Sequence, residues 1–236
     1  MSEPQSKPPG WRLLELVEVM DRLRSPGGCA WDAEQTHKTL VEYLVEEAYE
    51  TIDAIDSGDR AALREELGDL LLQVVFHSRI AQEDPHAPWG IDEVAAGISD
   101  KLIARHPHVF GDGVAHDAAD VEAQWQARKA AEKGRTSVTD GVPIGMPSLV
   151  LAPKLLNRAR VGGVDVAAAP AADIAAAEQL LANFDQSQGP ASEQLGDLLL
   201  ALTSVATARG LDVDAAMRSA VARLRTRIEA TEATSP

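Results

Sequence analysis

The sequence has one cysteine, few aromatic residues and no long apolar run. Cys29 cannot form an intrachain disulfide by itself, so a reducing environment is the natural inference. No stretch of about 18 consecutive apolar residues occurs, which argues against a membrane-spanning helix. The opening segment "MSEPQSKPPG" lacks the hydrophobic centre of a signal peptide. We therefore expect a cytoplasmic protein that has no contact with a membrane.

Positive charge is also scarce. The chain has 22 Lys and Arg residues against 37 Asp and Glu residues, which gives a formal net charge of −15. Polymeric nucleic acid requires a basic surface, so this balance argues against such a partner. A single nucleotide is not excluded, because a few cations and a metal ion are enough to meet its phosphates.

Abundant alanine and leucine, with little alternation of β-branched residues, predict an all-α protein. The segment "WRLLELVEVMDRLRS" (11–25) carries apolar residues at the spacing of an amphipathic helix. A capping box at Thr39 and Glu42 predicts the start of a second helix, and Gly58 followed by Asp59 predicts a tight helix–turn–helix connection. Helices are expected after the first at about 39–56, 60–83, 92–105 and 117–133.

The sequence repeats itself once. The segment "EELGDLLLQVV" (65–75) returns as "EQLGDLLLALT" (193–203), which indicates a duplicated fold. Residues 134–149 are rich in Gly, Pro, Ser and Thr and are expected to form a linker between domains at 1–133 and 150–236. The second copy has lost the E-x-x-E glutamates, since only Glu178 stands upstream, and it carries Gln194 in place of Glu66. We expect a degenerate C-terminal domain.

The first copy gathers carboxylates on two predicted helices. Glu46, Glu47 and Glu50 lie on the first helix, and Glu66 and Asp69 lie one turn apart on the second. Because the turn centres on Gly58, residues equally distant from it face each other across the hairpin. Glu50 should therefore face Glu66, and Glu47 should face Asp69. Apolar residues of both helices are expected to bury the hairpin against the rest of the domain: Leu44, Ala48, Ile52, Leu67, Leu70, Leu71 and Val74.

Electrostatics favours a metal ion at this hairpin. Two like charges about 4 Å apart repel by roughly 4 kcal/mol at an effective dielectric constant near 20. Mg²⁺ prefers hard oxygen ligands and commonly joins one or two carboxylates to substrate phosphates. The alternative is that these are exposed helix acids that pair with Arg60 or Arg64. The register of the acids across a tight turn favours the metal site.

At these residues the sequence resembles the MazG family of nucleoside triphosphate pyrophosphohydrolases. The family motif E-E-x-x-E, a spacer and E-x-x-D correspond to the five acids of the hairpin. The flanking blocks "GCAWDAEQTH" (28–37), "SDKLIARHPHVFGD" (99–112) and "WQARKAAEK" (125–133) are also family-like. The similarity covers nearly the whole chain, including its tandem arrangement.

The resemblance implies tandem helical bundles, a homodimer or larger assembly, and Mg²⁺-dependent hydrolysis of nucleoside triphosphates to monophosphates and pyrophosphate. Mn²⁺ is the alternative ion. The implied metal ligands are Glu47, Glu50, Glu66 and Asp69, and the implied nucleotide-binding residues are Lys101, Arg105, Trp125 and Lys129. Some members are thought to work through the second repeat. Here only the first repeat keeps the acids, so activity is assigned to it.

The expected mechanism uses the metal ions to bridge the triphosphate and to lower the pKa of a water molecule. Glu47 is the first choice for orienting or deprotonating that water, and Glu46 is the alternative. Lys101 and Arg105 would neutralise charge on the departing pyrophosphate. The expected role is removal of non-standard or excess nucleotides. The competing hypotheses are a non-catalytic nucleotide-binding scaffold and a relative specific for dUTP or phosphoribosyl-ATP.

Overall fold

The structure is a computed structural model that describes residues 8–118, 120, 121, 124, 125, 128, 136–164, 174–182 and 190–234. Within these residues there are helices and turns but no strand, so the all-α prediction is confirmed. The helices are α1 (Trp11–Arg24), α2 (Ala30–Glu34), α3 (Val41–Ser57), α4 (Arg60–Ala81), α5 (Ile91–Arg105), α6 (Pro107–Phe110), α7 (Ser148–Val161), α8 (Ile174–Ala182), α9 (Ala191–Ala208) and α10 (Val213–Thr234).

The chain divides into two compact units, Met1–Lys129 and Ala130–Pro236. Helices α1–α6 belong to the first unit and α7–α10 to the second. The domain boundaries drawn from the sequence, and the assignment of the second unit as a degenerate repeat, stay predictions.

Helices α3 and α4 form an antiparallel hairpin joined by two residues. Gly58 has φ of 72°, a left-handed conformation that favours glycine and ends α3. The side chain of Asp59 then accepts hydrogen bonds from the amides of Ala61 (2.8 Å) and Ala62 (3.1 Å), which caps α4. Both features agree with the turn predicted from the sequence.

The predicted capping box at Thr39 and Glu42 is wrong. Helix α3 begins at Val41, and its N-cap residue Leu40 makes no side-chain hydrogen bond. The hydroxyl of Thr39 instead donates to the side-chain carbonyl of Gln35 at 2.8 Å. Thr39 therefore makes hydrogen bonds within the turn before α3 and does not cap the first amides of the helix.

The core of the first unit lies between α1, α4 and the start of α3. Met20, Leu40, Val75 and Phe76 are almost fully buried there. The buried guanidinium of Arg24 closes the end of this core, since it donates to both carboxylate oxygens of Glu83, at 2.9 and 2.7 Å. This pair fixes the end of α1 against the end of α4.

The expectation that the hairpin's apolar residues are buried is wrong for four of the seven. Leu44, Leu67, Leu71 and Val74 have 39%, 51%, 38% and 43% of their surface exposed. The reason lies in the geometry of α4, which turns Val75 and Phe76 toward α1. Leu67, Leu71 and Val74 lie on a different side of α4, and Leu44 lies on α3; nothing within the described part of the first unit covers these four residues.

The second unit repeats this pattern of exposure. Its core contains Ala159, Ala177, Leu198, Ala201 and Val205, contributed by α7, α8 and α9. Helix α9 carries the repeated segment, and its residues at the positions of Leu67, Leu71 and Val74 are also exposed. These residues are Leu195, Leu199 and Leu202, at 46%, 44% and 51%.

None of the helices in the described part of the chain combines the length and the apolar character needed to cross a bilayer.

Candidate metal centre

The α3–α4 hairpin brings three of the predicted ligands together. One carboxylate oxygen from each of Glu47, Glu66 and Asp69 lies within 4.8 Å of the others. Glu47 faces α4 from α3, while Glu66 and Asp69 are one turn apart on α4. All three residues are half-buried. The tight turn at Gly58 sets this register, because it leaves little freedom for one helix to slide along the other.

The other two acids of the motif lie beside this cluster. The charge of Glu50 raises the pKa of both Glu47 and Glu66, so its carboxyl lies close to the same group. Glu46 is exposed and contributes to the electrostatic field at Glu47. Four carboxylates thus meet at the hairpin, and the fifth lies next to them.

The cluster shifts the pKa of two of its members upward. Burial raises the pKa of Glu47 above the usual glutamate value, and repulsion by Asp69, Glu50, Glu66 and Glu46 raises it further. Burial also raises the pKa of Glu66, together with the charges of Glu50, Asp69 and Glu65. A carboxylate that pairs with Arg or Lys has a lowered pKa instead. Both shifts have the direction expected for carboxylates that are partly buried beside other carboxylates.

The arrangement fits a hard divalent cation. All its donors are carboxylate oxygens, which suit Mg²⁺ and Mn²⁺ better than softer metals. Within the described part of the chain, neither Arg60 nor Arg64 forms a salt bridge with these acids. The alternative interpretation as an ion-paired surface therefore has no support from these arginines. A bound cation would offset the repulsion that raises the two pKa values.

The predicted phosphate-binding residues lie on and after α5. Lys101 is exposed, whereas Arg105 has only 6% of its surface exposed. The guanidinium carbon of Arg105 lies 5.0 Å from the centre of the Trp125 ring, and the His106 ring lies 5.1 Å from it. Arg105 and Trp125 are thus brought together, with the arginine covered. Lys129 lies outside the described residues.

Sequence reasoning missed a histidine pair at the other end of the hairpin. The Nδ1 atoms of His37 and His77 are 2.7 Å apart, and the His37 ring lies 6.3 Å from the ring of Trp89 at an angle of 15°. One signal was available: Glu66, Asp69, Gln73 and His77 follow each other at helical spacing on one face of α4. The partner His37 could not be found that way, because it lies outside both helices.

Comparisons with known proteins agree with this architecture. A family model described as the MazG nucleotide pyrophosphohydrolase domain matches residues 35–110. A Thermotoga maritima protein named nucleoside triphosphate pyrophosphohydrolase/pyrophosphatase MazG is 37% identical over 92% of this chain and 84% of its own length. A Mycolicibacterium smegmatis nucleoside triphosphate pyrophosphohydrolase is 48% identical over 72% of this chain and 51% of its own. An uncharacterised Streptomyces cacaoi protein is 62% identical over 67% of this chain and 65% of its own.

Within its described residues, the protein is all-α and has an acidic candidate metal centre on a helical hairpin. The chain belongs to the MazG family. It spans about half to two thirds of the length of the Streptomyces and Mycolicibacterium relatives.

Proposed function

We propose that the protein is a Mg²⁺-dependent nucleoside triphosphate pyrophosphohydrolase. It hydrolyses nucleoside or deoxynucleoside triphosphates to the monophosphate and pyrophosphate, which breaks the anhydride bond between the α- and β-phosphates. The observation that carries the proposal is the convergence of Glu47, Glu66 and Asp69, whose repulsion calls for a cation. The names of the Thermotoga and Mycolicibacterium relatives support the same activity.

The metal ligands proposed are Glu47, Glu50, Glu66 and Asp69. When bound, Mg²⁺ supplies polarisation of the phosphoryl oxygens and neutralisation of their charge. The carboxylates of the chain would hold the ion from two helices whose register is fixed by one turn.

Glu47 is the proposed residue that orients and deprotonates the attacking water. Its carboxylate belongs to the cluster proposed to hold the metal ion, so it offers a proton acceptor close to a water bound there. Glu46 is the alternative, since it lies next in sequence and is exposed to solvent. A water oxygen forms the new bond to phosphorus, and its proton passes to the glutamate carboxylate.

The departing pyrophosphate carries additional negative charge, which cations near it would stabilise. Lys101 is the accessible member of the pair proposed for this role. Arg105 is buried and contacts Trp125, so its neighbours would have to move before it could reach a phosphate. We propose that Trp125 and Lys129 contact the nucleotide and that binding uncovers Arg105.

The proposed role is removal of non-standard or excess nucleotides in the cytoplasm. We also propose that the protein is a homodimer. The exposed apolar face of α3 and α4 supports this, since a second copy would remove Leu67, Leu71 and Val74 from water.

The test mixes the protein with Mg²⁺ and a panel of nucleoside triphosphates that includes dUTP, and it measures pyrophosphate release. The wild-type protein is expected to release pyrophosphate, and Glu50→Gln is expected to lose most of this activity. Asp53→Asn removes an exposed carboxylate from the same helix and should have no effect. Absence of release from every nucleotide, with Glu50→Gln indistinguishable from the wild type, would favour a non-catalytic scaffold.

A further inference from the structure

A cavity lies in the second unit, between α7, the end of α9 and the turn that leads into α10. Its volume is about 460 Å³, within the range of small-molecule sites, roughly 300–1,000 Å³. Charged, polar and apolar side chains line it. Those used below are Val150, Pro153, Lys154, Asn157, Leu211 and Asp212.

The first unit has a cavity of about 320 Å³ at the corresponding positions of the sequence repeat. The repeated segment is shifted by 128 residues, which relates the end of α4 to the end of α9. In the first helix of each unit, "MDRLR" (20–24) corresponds to "LNRAR" (156–160). The corresponding residues that line the two cavities are Glu18 and Lys154, Asp21 and Asn157, Arg79 and Thr207, and Gln82 and Gly210.

The two cavities differ in charge. In the first unit, Arg79 pairs with Asp21 at 2.8 Å and with Glu83 at 2.9 Å, so its charge is met within the chain. In the second unit, threonine replaces this arginine, and Lys154 stands where the first unit has Glu18. The second cavity has therefore exchanged an internal ion pair for a lysine.

Lys154 has no carboxylate partner within the described part of the chain. The residue is half-buried, and its ammonium donates to Sδ of Met146 at 3.8 Å, a weak acceptor. An ammonium that is partly removed from water is stabilised by an anion. The side chain of Asn157 lines the same cavity and uses its carbonyl to accept from Arg160, which leaves its amide hydrogens for a ligand's carboxylate.

Asp212 brings the opposite charge to the cavity. One of its carboxylate oxygens accepts a hydrogen bond from the amide of Ala215 at 2.9 Å, which caps α10. Although Asp212 and Lys154 line the same cavity, they form no salt bridge with each other. A ligand that carries one negative and one positive group would meet both residues.

The rest of the lining suits an apolar group. Val150 and Leu211 have 36% and 61% of their surface exposed, and Pro153 lies beside them in the lining. A ligand that covers these side chains gains from removing apolar surface from water. The net charge of −15 disfavours ligands with several negative charges, whereas a zwitterion has no net charge.

We propose that this cavity binds an α-amino acid with an apolar side chain. Its carboxylate is held by Lys154, its ammonium by Asp212, and its side chain by the apolar part of the lining. The proposal goes beyond nucleotide hydrolysis and does not depend on it. It gives the second unit a binding site of its own, distinct from the carboxylate cluster of the first.

The test measures binding to the full chain by calorimetry with three probes: L-leucine, isocaproate, which lacks the ammonium, and isoamylamine, which lacks the carboxylate. Leucine should bind at least about tenfold more tightly than either analogue, because each analogue loses a charge-assisted hydrogen bond. Absence of leucine binding, or equal binding of leucine and isocaproate, would overturn the proposal.

Two variants locate the site. Lys154→Met should weaken leucine binding about tenfold, since it keeps the length of the side chain but removes its charge. Asp212→Asn keeps a residue that can cap α10 and should bind leucine no more tightly than isocaproate. Far-UV circular dichroism checks that each variant is folded, and Asp212→Asn decides the matter if Lys154→Met is not.

Glu18→Gln is the matched control, because it removes the charge at the corresponding position of the first unit. It should keep the wild-type affinity for leucine. Loss of leucine binding in Glu18→Gln, or wild-type affinity in folded Lys154→Met, would contradict a site in the second unit.

Discussion

At the scale of single residues, the charges of the carboxylate cluster favour the proposed metal binding but lower the stability of the metal-free protein. Glu47 repels its neighbours and gains no compensating cation from the described chain, so it destabilises the metal-free protein. Residues that break a local rule in this way are commonly functional. The same carboxylate is proposed to hold the metal ion, so removing it should have opposite effects on stability and activity.

Glu47→Gln is therefore expected to raise the melting temperature of the metal-free protein and to abolish Mg²⁺-dependent pyrophosphate release. The amide keeps the size of the side chain but removes the repulsive charge. Differential scanning calorimetry with EDTA and an activity assay with Mg²⁺ measure the two effects. Asp53→Asn is the control, and it should change neither. A lower melting temperature for Glu47→Gln would show that the carboxylate has a stabilising partner.

The sequence predicted the convergence of the acids but not the covering of Arg105. Glu47 faces Asp69 because both positions follow from the turn at Gly58 and from helical periodicity, which are local properties. Arg105 packs against Trp125, which is distant in sequence and on a segment whose placement periodicity alone does not determine. Contacts between elements of this kind depend on tertiary packing.

At the scale of helices, Arg24 and Glu83 hold α1 against the end of α4. Arg24→Met is expected to lower the free energy of unfolding by about 2–3 kcal/mol, since it removes charge-assisted hydrogen bonds from a buried site. Urea unfolding measures this change. The exposed pair Arg12–Glu15 is the comparison, and Arg12→Gln should cost less than about 1 kcal/mol. Equal costs for the two substitutions would contradict the role given to Arg24.

The pair of His37 and His77 is expected to make the stability of the folded protein sensitive to acid. Burial lowers the pKa of His77 below its ordinary 6.5, and the charge of His37 lowers it further. The folded protein then keeps His77 neutral while the unfolded chain takes up a proton. Stability is present above about pH 6.5 and is lost as the pH falls below it, by at most about 1.4 kcal/mol per pH unit.

The measurement is urea unfolding at several pH values between about 7.5 and 5.5, for the wild type and His77→Gln. The stability of the wild type is expected to fall more steeply with acidification than that of the variant. His116→Gln, which removes an exposed histidine, should follow the wild type. Parallel pH dependence of His77→Gln and the wild type would contradict the assignment.

Helix positions were mostly predictable, whereas burial was not. The cap at Asp59 and the end of α5 before Pro107 follow from local chemistry, and the structure has both. The short helix α2 was missed, because five residues are too few for a periodic pattern. An apolar stripe shows that a face avoids water, but it does not show what covers the face.

At the scale of the whole molecule, each unit exposes apolar residues at the same three positions of the repeated segment. These are Leu67, Leu71 and Val74 in α4, and Leu195, Leu199 and Leu202 in α9. Proteins rarely leave such faces in water without a partner. Val74→Lys is expected to dissociate the proposed homodimer, because it places a charge in the buried interface. Light scattering after size-exclusion chromatography should show half the mass. Ile144→Lys, at a turn residue that is 93% exposed, should leave the mass unchanged.

Since Val74 is 43% exposed within one chain, its replacement should change the free energy of unfolding of a single subunit by no more than about 0.5 kcal/mol. An unchanged mass for Val74→Lys would show that this face is not the interface. Unfolding of the variant would show that the valine supports the subunit itself.

The most direct measurement is a phosphorus NMR spectrum of a nucleoside triphosphate incubated with the protein and Mg²⁺. Signals of pyrophosphate and nucleoside monophosphate should grow in equal amounts with the wild-type protein and be absent with Glu47→Gln. Formation of the diphosphate and orthophosphate, or an unchanged triphosphate across the nucleotide panel, would contradict pyrophosphohydrolysis at the carboxylate cluster.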